Sequence, residues 1–323
     1  MKVLVTGGAG YIGSVASVRL LEKGHEVIVF DNLERGHKES IDKRAVFIEG
    51  DLRDRRSIAS AIKKTSPDAV MHFAAYALVG ESMSNPAMYF QNNVNGGINL
   101  LEAMDQFGVK RFVFSSSCAT YGDPGTEFIA EDMPQKPTNP YGESKLAIEK
   151  IAIWFMERKG LHPVFLRYFN ACGAAVGRGE DHDPETHIIP IILKTALKQK
   201  SCVEIMGNDY PTPDGTCIRD YIHIDDLATA HILALTTPHK GAFNLGIGRG
   251  YSVKEVITAA QNVVGFEIPF RIAPRRSGDP PRLVAANTKA INLLGWKPIY
   301  TNLENIIATA WEWHKNHPRG YLN

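Results

Sequence analysis

Tyr141 and Lys145 stand four residues apart at the start of a stretch, 142–159, that reads as a helix. Side chains at i and i+4 share one helix face, so the phenol and the ammonium become neighbours. A free tyrosine titrates near 10, too high for a base at neutral pH. A cation beside it favours the phenolate and lowers that value. Three hydroxyls, Ser115, Ser116 and Ser117, precede the pair at the end of a short apolar run. Any one of them could hold a reacting oxygen or relay its proton, or simply cap the strand end. The chemistry such a group suits is proton transfer to and from a hydroxyl.

A second motif supplies context. Gly7, Gly10 and Gly13 fall within TGGAGYIG at 6–13, between an apolar run at 2–6 and a helix predicted over 12–23. Glycines so spaced allow a tight turn, a close backbone approach to a pyrophosphate, and close helix–strand packing. The helix N-terminus then offers free N–H groups and a positive dipole end to phosphate. A second run, 26–30, leads into Asp31, eighteen residues past Gly13. A carboxylate there accepts hydrogen bonds from a ribose 2′-OH and repels a 2′-phosphate, so NAD is expected rather than NADP. Asp51 and Leu52, just past the run at 45–49, are placed to hold adenine by the same logic.

The elements that must position these residues alternate. Apolar runs at 2–6, 26–30, 45–49, 69–73, 111–115 and 164–168 are separated by helices predicted over 12–23, 57–65, 86–107 and 142–159. That rhythm predicts an α/β fold, a Rossmann-type doubly wound parallel sheet. Beyond about residue 170 it breaks. Glycine, proline and acidic residues crowd 173–185 as a long loop, followed by helices over 189–198, 253–264 and 303–315 among isolated short strands. The division expected is a dinucleotide-binding domain over 1–170 and a smaller α/β substrate-binding lobe over 171–323, with some later segments returning to the first. The cleft between them is the expected ligand site.

Composition excludes several classes. The chain has 323 residues, 44% of them hydrophobic and 22% charged, ample for a buried core. A net charge of +1 gives no electrostatic case for nucleic acid or an anionic membrane. No apolar run approaches the roughly 18–20 residues of a membrane helix, and the glycine turn at Gly7 leaves no room for a signal peptide. Four cysteines, Cys118, Cys172, Cys202 and Cys217, lack any CxxC spacing and read as reduced thiols in a cytoplasmic protein. Asp181, His182 and Asp183 read as solvated loop charges, His72 as a packing residue, and no metal is expected.

With these motifs in place, the chain resembles the extended short-chain dehydrogenases/reductases, and within them the UDP-sugar 4-epimerases, over nearly its whole length. The residues that carry the resemblance are TGGAGYIG at 6–13, DNL at 31–33, HFAAYALVGES at 72–82, NNVNG at 92–96, SSSCATYGD at 115–123 and YGESK at 141–145. LRYFNACGA at 166–174, GNDYPTPDGTCIRDYIHIDDLA at 207–228 and RRSGD at 275–279 follow in the second lobe. The long 207–228 block is the part specific to the epimerases. The resemblance implies interconversion of UDP-galactose and UDP-glucose by transient oxidation at sugar C4, rotation of the 4-keto sugar and hydride return to the opposite face. It implies Tyr141 as base, Lys145 as the group that lowers its pKa and holds the nicotinamide ribose, and Ser117 as the hydroxyl that contacts the sugar. NAD contacts are implied for Tyr11, Ile12, Asp31, Asn32, Asp51, Leu52, Phe73, Ala74, Ala75, Asn92, Tyr168 and Phe169. Asn170, the backbone at His187 and Ile188, Arg219 and Arg276 would meet the UDP phosphates, and Asp279 the uridine ribose. A homodimer formed through paired helices is implied as well.

Alternatives remain open at this stage. Leu283 aligns with the position that bounds the sugar's C2 side, where tyrosine excludes an N-acetyl group and a small residue admits one. Another UDP-hexosamine or UDP-pentose is therefore the rival substrate. A non-catalytic NAD-binding sensor is the rival from another class, disfavoured by the intact Tyr141, Lys145 and Ser117. Cys118 and Ala119 follow Ser117 where related dehydratases and decarboxylases carry an acid, which argues against both reactions.

Overall fold

Short β-branched and aromatic runs punctuated by glycine become strands, and the amphipathic stretches between them become helices. In a computed structural model, which describes residues 1–276 and 278–322, the chain begins β1 (Lys2–Thr6), α1 (Tyr11–Glu22), β2 (Glu26–Asp31), β3 (Val46–Glu49), α2 (Arg55–Thr65) and β4 (Ala69–His72). It continues α3 (Val79–Ser84), α4 (Pro86–Tyr89), α5 (Gly96–Gln106), β5 (Arg111–Ser117), α6 (Pro140–Lys159), β6 (His162–Tyr168) and β7 (Asn170–Cys172). Then come α7 (Ile188–Ala196), β8 (Val203–Met206), β9 (Ile218–His223), α8 (Ile224–Thr236), β10 (Gly241–Leu245) and β11 (Gly250–Ser252). The last elements are α9 (Val253–Val264), β12 (Phe270–Ala273), β13 (Arg282–Leu283), α10 (Thr288–Leu294) and α11 (Leu303–Asn316). Ser277, within the RRSGD motif, lies outside the described residues.

Seven strands form one sheet in the order β10-β6-β5-β4-β1-β2-β3, and every pairing is parallel. A parallel sheet must be covered on both faces. One face packs Val3, Val5, Val29, Leu227, Phe243 and Trp296 into a core with α1 and α8. The other packs Leu4, Ile28, Phe30, Leu100, Phe112 and Phe165 against α2, α5 and α6. The expected doubly wound sheet is thus present. A third core, with Ile192, Leu193, Val256, Ile257, Ile306 and Ile307, belongs to the smaller lobe built on α7, α9 and α11.

β10 pairs with β6, and α8 packs on α1 and the same sheet, so these two later elements sit with the larger body. One detail differs from the sequence reading: 86–107 is not one regular helix. Residues Phe90–Asn95 form a π-helical turn between α4 and α5. Such widened turns occur mostly at functional sites, and this one contains Asn92 and the buried Asn93.

Candidate active site

Helix α6 starts under firm constraints. The Asn139 side chain accepts a hydrogen bond from Gly142 N at 2.8 Å, and Pro140 occupies the first turn, the arrangement expected of a helix N-terminus. A Cβ at Gly142 would sit 2.5 Å from Ala119 O, so glycine lets the helix start press against the turn that follows β5. Tyr141 is thereby brought to the end of that strand, and its phenol lies near enough to Ser117 for a hydrogen bond with it to lower the tyrosine pKa.

Strand alternation separates the three serines. Ser115 is hydrogen-bonded to the Tyr168 hydroxyl, Ser116 donates to Glu149, and Ser117 is the one beside Tyr141. Lys145 is buried, with Nζ donating to Ser115 O at 2.8 Å and lying 5.8 Å from the Tyr141 ring centroid. Residues 115–117, 141, 145 and 168 therefore meet at one end of the sheet, as expected from the motifs.

The sequence reading has the Tyr141 pKa lowered by Lys145 together with a positively charged nicotinamide; in the protein alone the tyrosine is not lowered. Burial pushes Tyr141 up to about 12, only partly opposed by Ser117. Lys145 is pushed down to about 7 by burial, against the pull of Glu149. Desolvation disfavours the charged form of each group, and it is the largest cause of both shifts.

The glycine turn fits a dinucleotide. Gly7 has φ 73°, and a Cβ there would lie 2.4 Å from Ala74 N, so the turn packs directly on the end of β4. Gly13 is crowded by Gly7 O in the same way, whereas a Cβ at Gly10 would meet nothing nearer than 3.3 Å. The open side at Gly10 is the mouth of α1, whose first turn has no side-chain cap and no acidic residue. It presents Tyr11 and Ile12 with an unneutralised dipole end. Asp31, 8% exposed, accepts from Ala9 N at 3.0 Å and Leu33 N at 2.9 Å and keeps lone pairs for further donors. Asn32 donates to Asp51 at 3.0 Å, and Asp51 is held near 2 by Arg53. Leu52 is buried beside them, while Phe73, Ala74 and Ala75 follow β4, half-buried.

In the smaller lobe, Asn170 donates to Asp220 O at 3.0 Å, and the Arg219 guanidinium pairs with Asp279 at 2.6 Å. Leu283 is opposite Arg219 in the β9–β13 register and packs with Cys118, Tyr121 and Phe169. Arg276 is exposed, and Ile188 opens α7. The His187 ring turns toward Glu180 and Glu185 at 2.8 and 3.0 Å.

Three residues to which the sequence reading assigned no role shape this site. Asn93 bridges Tyr76 N and O and the Ser144 hydroxyl, tying the loop after β4 to α6. Glu149 and Arg167 form a buried ion pair behind Lys145. Glu180 and Glu185, which flank the Asp181, His182 and Asp183 read as solvated charges, had no role in that reading either; Glu180 is 5% exposed and the Glu185 side chain 4%. Asp181 turns away to accept from Tyr321 N at 3.0 Å.

Residues 3–246 match the NAD dependent epimerase/dehydratase family. The chain belongs to this family. It is 54% identical to the UDP-glucose 4-epimerase of Halalkalibacterium halodurans, over 99% of this chain and 98% of that one. A crystal structure of a UDP-glucose 4-epimerase superposes with TM-score 0.96 at 49% identity, covering all of both chains. The Bifidobacterium longum UDP-glucose 4-epimerase, solved in complex with NAD+ and UDP, superposes with TM-score 0.94 at 38% identity over 99% of this chain and 100% of that one. Membership in an NAD dependent family agrees with the open dipole end at Gly10 and the buried acid at the end of β2. Among the described residues no helix is long and apolar enough to cross a membrane.

Proposed function

We propose that this protein is a 4-epimerase that interconverts UDP-galactose and UDP-glucose, with NAD held by the seven-stranded body and the UDP-sugar by the smaller lobe. The meeting of Tyr141, Lys145 and Ser117 at one end of the sheet carries the reading, in a chain whose relatives are UDP-glucose 4-epimerases. Gly7, Gly10, Tyr11, Ile12 and Gly13 would take the pyrophosphate, and Asp31 the adenosine ribose. Asn32, Asp51, Leu52, Phe73, Ala74, Ala75, Asn92, Tyr168 and Phe169 would line the rest. When bound, NAD supplies a reversible hydride acceptor and a positive charge beside the phenol.

Burial raises the Tyr141 pKa to about 12; with a positive charge beside it the phenol would take the proton from the sugar O4 and later return it. Ser117 would hold O4. Lys145, fixed by Ser115 O, would hold the nicotinamide ribose. Asn170, the α7 N-terminus at His187 and Ile188, Arg219 and Arg276 grip the diphosphate, and Asp279 the uridine ribose. A firmly held UDP with a loosely held sugar lets the hexose rotate and present its other face.

Incubating the purified chain with UDP-galactose, without added NAD, should give a mixture with UDP-glucose on chromatography. Tyr141→Phe should keep bound NAD and lose turnover. No conversion even with NAD supplied would overturn the assignment. We also propose a cytoplasmic homodimer. Its four cysteines are unpaired, and Ile153 and Trp154 on α6 stand 39% and 59% exposed, an apolar face for a second copy. Sedimentation of Trp154→Glu as a monomer is the expected result, and an unchanged dimer would move the interface elsewhere.

A further inference from the structure

Glu180, His182, Glu185 and His187 converge in the segment between β7 and α7, each offering one ligand atom, with all four atoms within 4.8 Å of one another. Glu180 with His182, and Glu185 with His187, are i,i+2 pairs on either side of Pro184. Both imidazoles point the same nitrogen inward. His182 Nδ1 lies 3.2 Å from Glu180 Oε1 and 3.9 Å from Glu185 Oε2, and His187 Nδ1 lies 2.8 Å from Glu180 Oε1 and 3.0 Å from Glu185 Oε1.

We propose that these four side chains bind one divalent transition-metal ion, zinc being the best match, which fixes the segment leading into α7.

The donor set and its dimensions carry the proposal. Two imidazoles with two carboxylates suit zinc, whereas magnesium and calcium prefer all-oxygen shells. A tetrahedral zinc with bonds of about 2.0–2.2 Å sets its ligand atoms roughly 3.3–3.6 Å apart; the imidazole–carboxylate separations run from 2.8 to 3.9 Å, and all four ligand atoms fall within 4.8 Å, so small side-chain shifts would meet that geometry. Two glutamates, two neutral histidines and one divalent cation sum to zero charge, the condition for burial at low cost.

An independent observation points the same way. Glu185 Oε1 is satisfied by Thr186 N and His187 N, both at 2.8 Å, but the buried Oε2 has no hydrogen-bond partner, and neither does His182 Nδ1. Buried polar atoms without partners are rare and costly, and these two face each other across the cluster.

The ion's role follows from its neighbours. His182 packs edge-on against Tyr11 at 6.2 Å between ring centroids, and Tyr11 OH donates to Gly173 O at 2.5 Å. His187 is the residue that opens α7. The cluster thus joins the first turn of α1 to the start of α7, and its function is structural.

The test uses the full chain without a polyhistidine tag, stripped with a chelator and titrated with ZnCl2. One zinc per chain is expected, with a raised melting temperature, and His182→Ala and Glu185→Gln should each weaken binding by about 100-fold or more, since even outer-shell partners are worth 10–100-fold. Absence of saturable binding, or binding untouched by both substitutions, would overturn the proposal. Should either variant fail to fold, cobalt(II) added to the unmodified chain decides. An intense visible d–d band, as four-coordinate sites give, supports the site, and a spectrum like that of the aqueous ion overturns it.

Discussion

Removing the Glu149 carboxylate should destabilise the protein far more than an average single substitution. Glu149 is 2% exposed, and its oxygens accept from Arg167 at 2.6 and 2.9 Å, from Ser116, and from Gln135 at 3.2 Å. The Arg167 side chain is 6% exposed and also donates to Tyr121 OH at 2.8 Å. In Glu149→Ala the guanidinium would remain buried without its counter-charge, a situation that costs about 3–5 kcal/mol. At about 2 °C per kcal/mol for a chain of this size, the midpoint should fall by roughly 6–10 °C. Much of that loss reflects the stranded charge rather than the worth of the pair. Glu149→Leu combined with Arg167→Met should therefore be more stable than the sum of the two single variants by about 2 kcal/mol. Urea denaturation of the two singles and the double would measure this coupling. Additive singles, or a Glu149→Ala loss below about 1 kcal/mol, would refute the buried-pair argument. Because Glu149 also pulls the Lys145 pKa upward, its removal should leave that ammonium easier to deprotonate.

Two further outcomes are expected. Leu283→Ala should raise kcat/KM for UDP-N-acetylglucosamine relative to UDP-glucose, because Leu283 packs against Cys118 and Phe169 beside the proposed sugar position. An unchanged ratio would detach Leu283 from C2 recognition. Acid should weaken the fold through its buried histidines. Burial holds His72 down to about 3 and His223, His231 and His314 down to about 4. The unfolded chain protonates these groups near 6.5 and so binds more protons below that pH, which removes stability as the pH falls from about 6.5 to 4. Asp220, raised by burial to about 6, acts in the opposite sense between roughly 6 and 3.8, as do Asp31 and Asp226, also raised by burial, while Asp42 and Asp51, held down to about 2 by Arg44 and Arg53, add to the acid loss. Melting curves of His231→Gln should show a shallower acid slope than the unmodified chain, and an equal slope would contradict the assignment.

What could be read from the sequence was whatever depends on local pattern. Residues 2–6 and 253–264 form their elements with the expected bounds, because apolar period and bounding residues agree there. α8 was not separated from the 207–228 motif, for a physical reason. It is clamped between α1 and the sheet and buries Ile224, Leu227, Ala228, Ala230 and Leu235 around much of its circumference, leaving only the narrow stripe of Asp225, Thr229 and Thr236 to mark it as a helix. β10 is a short strand whose pairing with β6 is a fact of register alone. The π-helical turn at Phe90–Asn95 is equally silent, since one widened turn shifts no residue type.

The site divides along the same line. Tyr141 and Lys145 were legible because a helix converts spacing into a shared face, and Asp31 because a strand fixes where its end must lie. Glu149 and Arg167 were not, since one is on α6 and the other on β6 and only the tertiary fold makes them a pair. The segment 180–187 shows the limit most clearly. Its composition of two glutamates, two aspartates and two histidines suits solvent, and the Asp181 carboxylate does turn away from the cluster, to Tyr321 N. Glu180 and Glu185 instead face inward because Tyr11, Trp313 and α7 close over them. A charge count could not have separated the two sets, since burial, rather than residue type, decides which carboxylates require a cation.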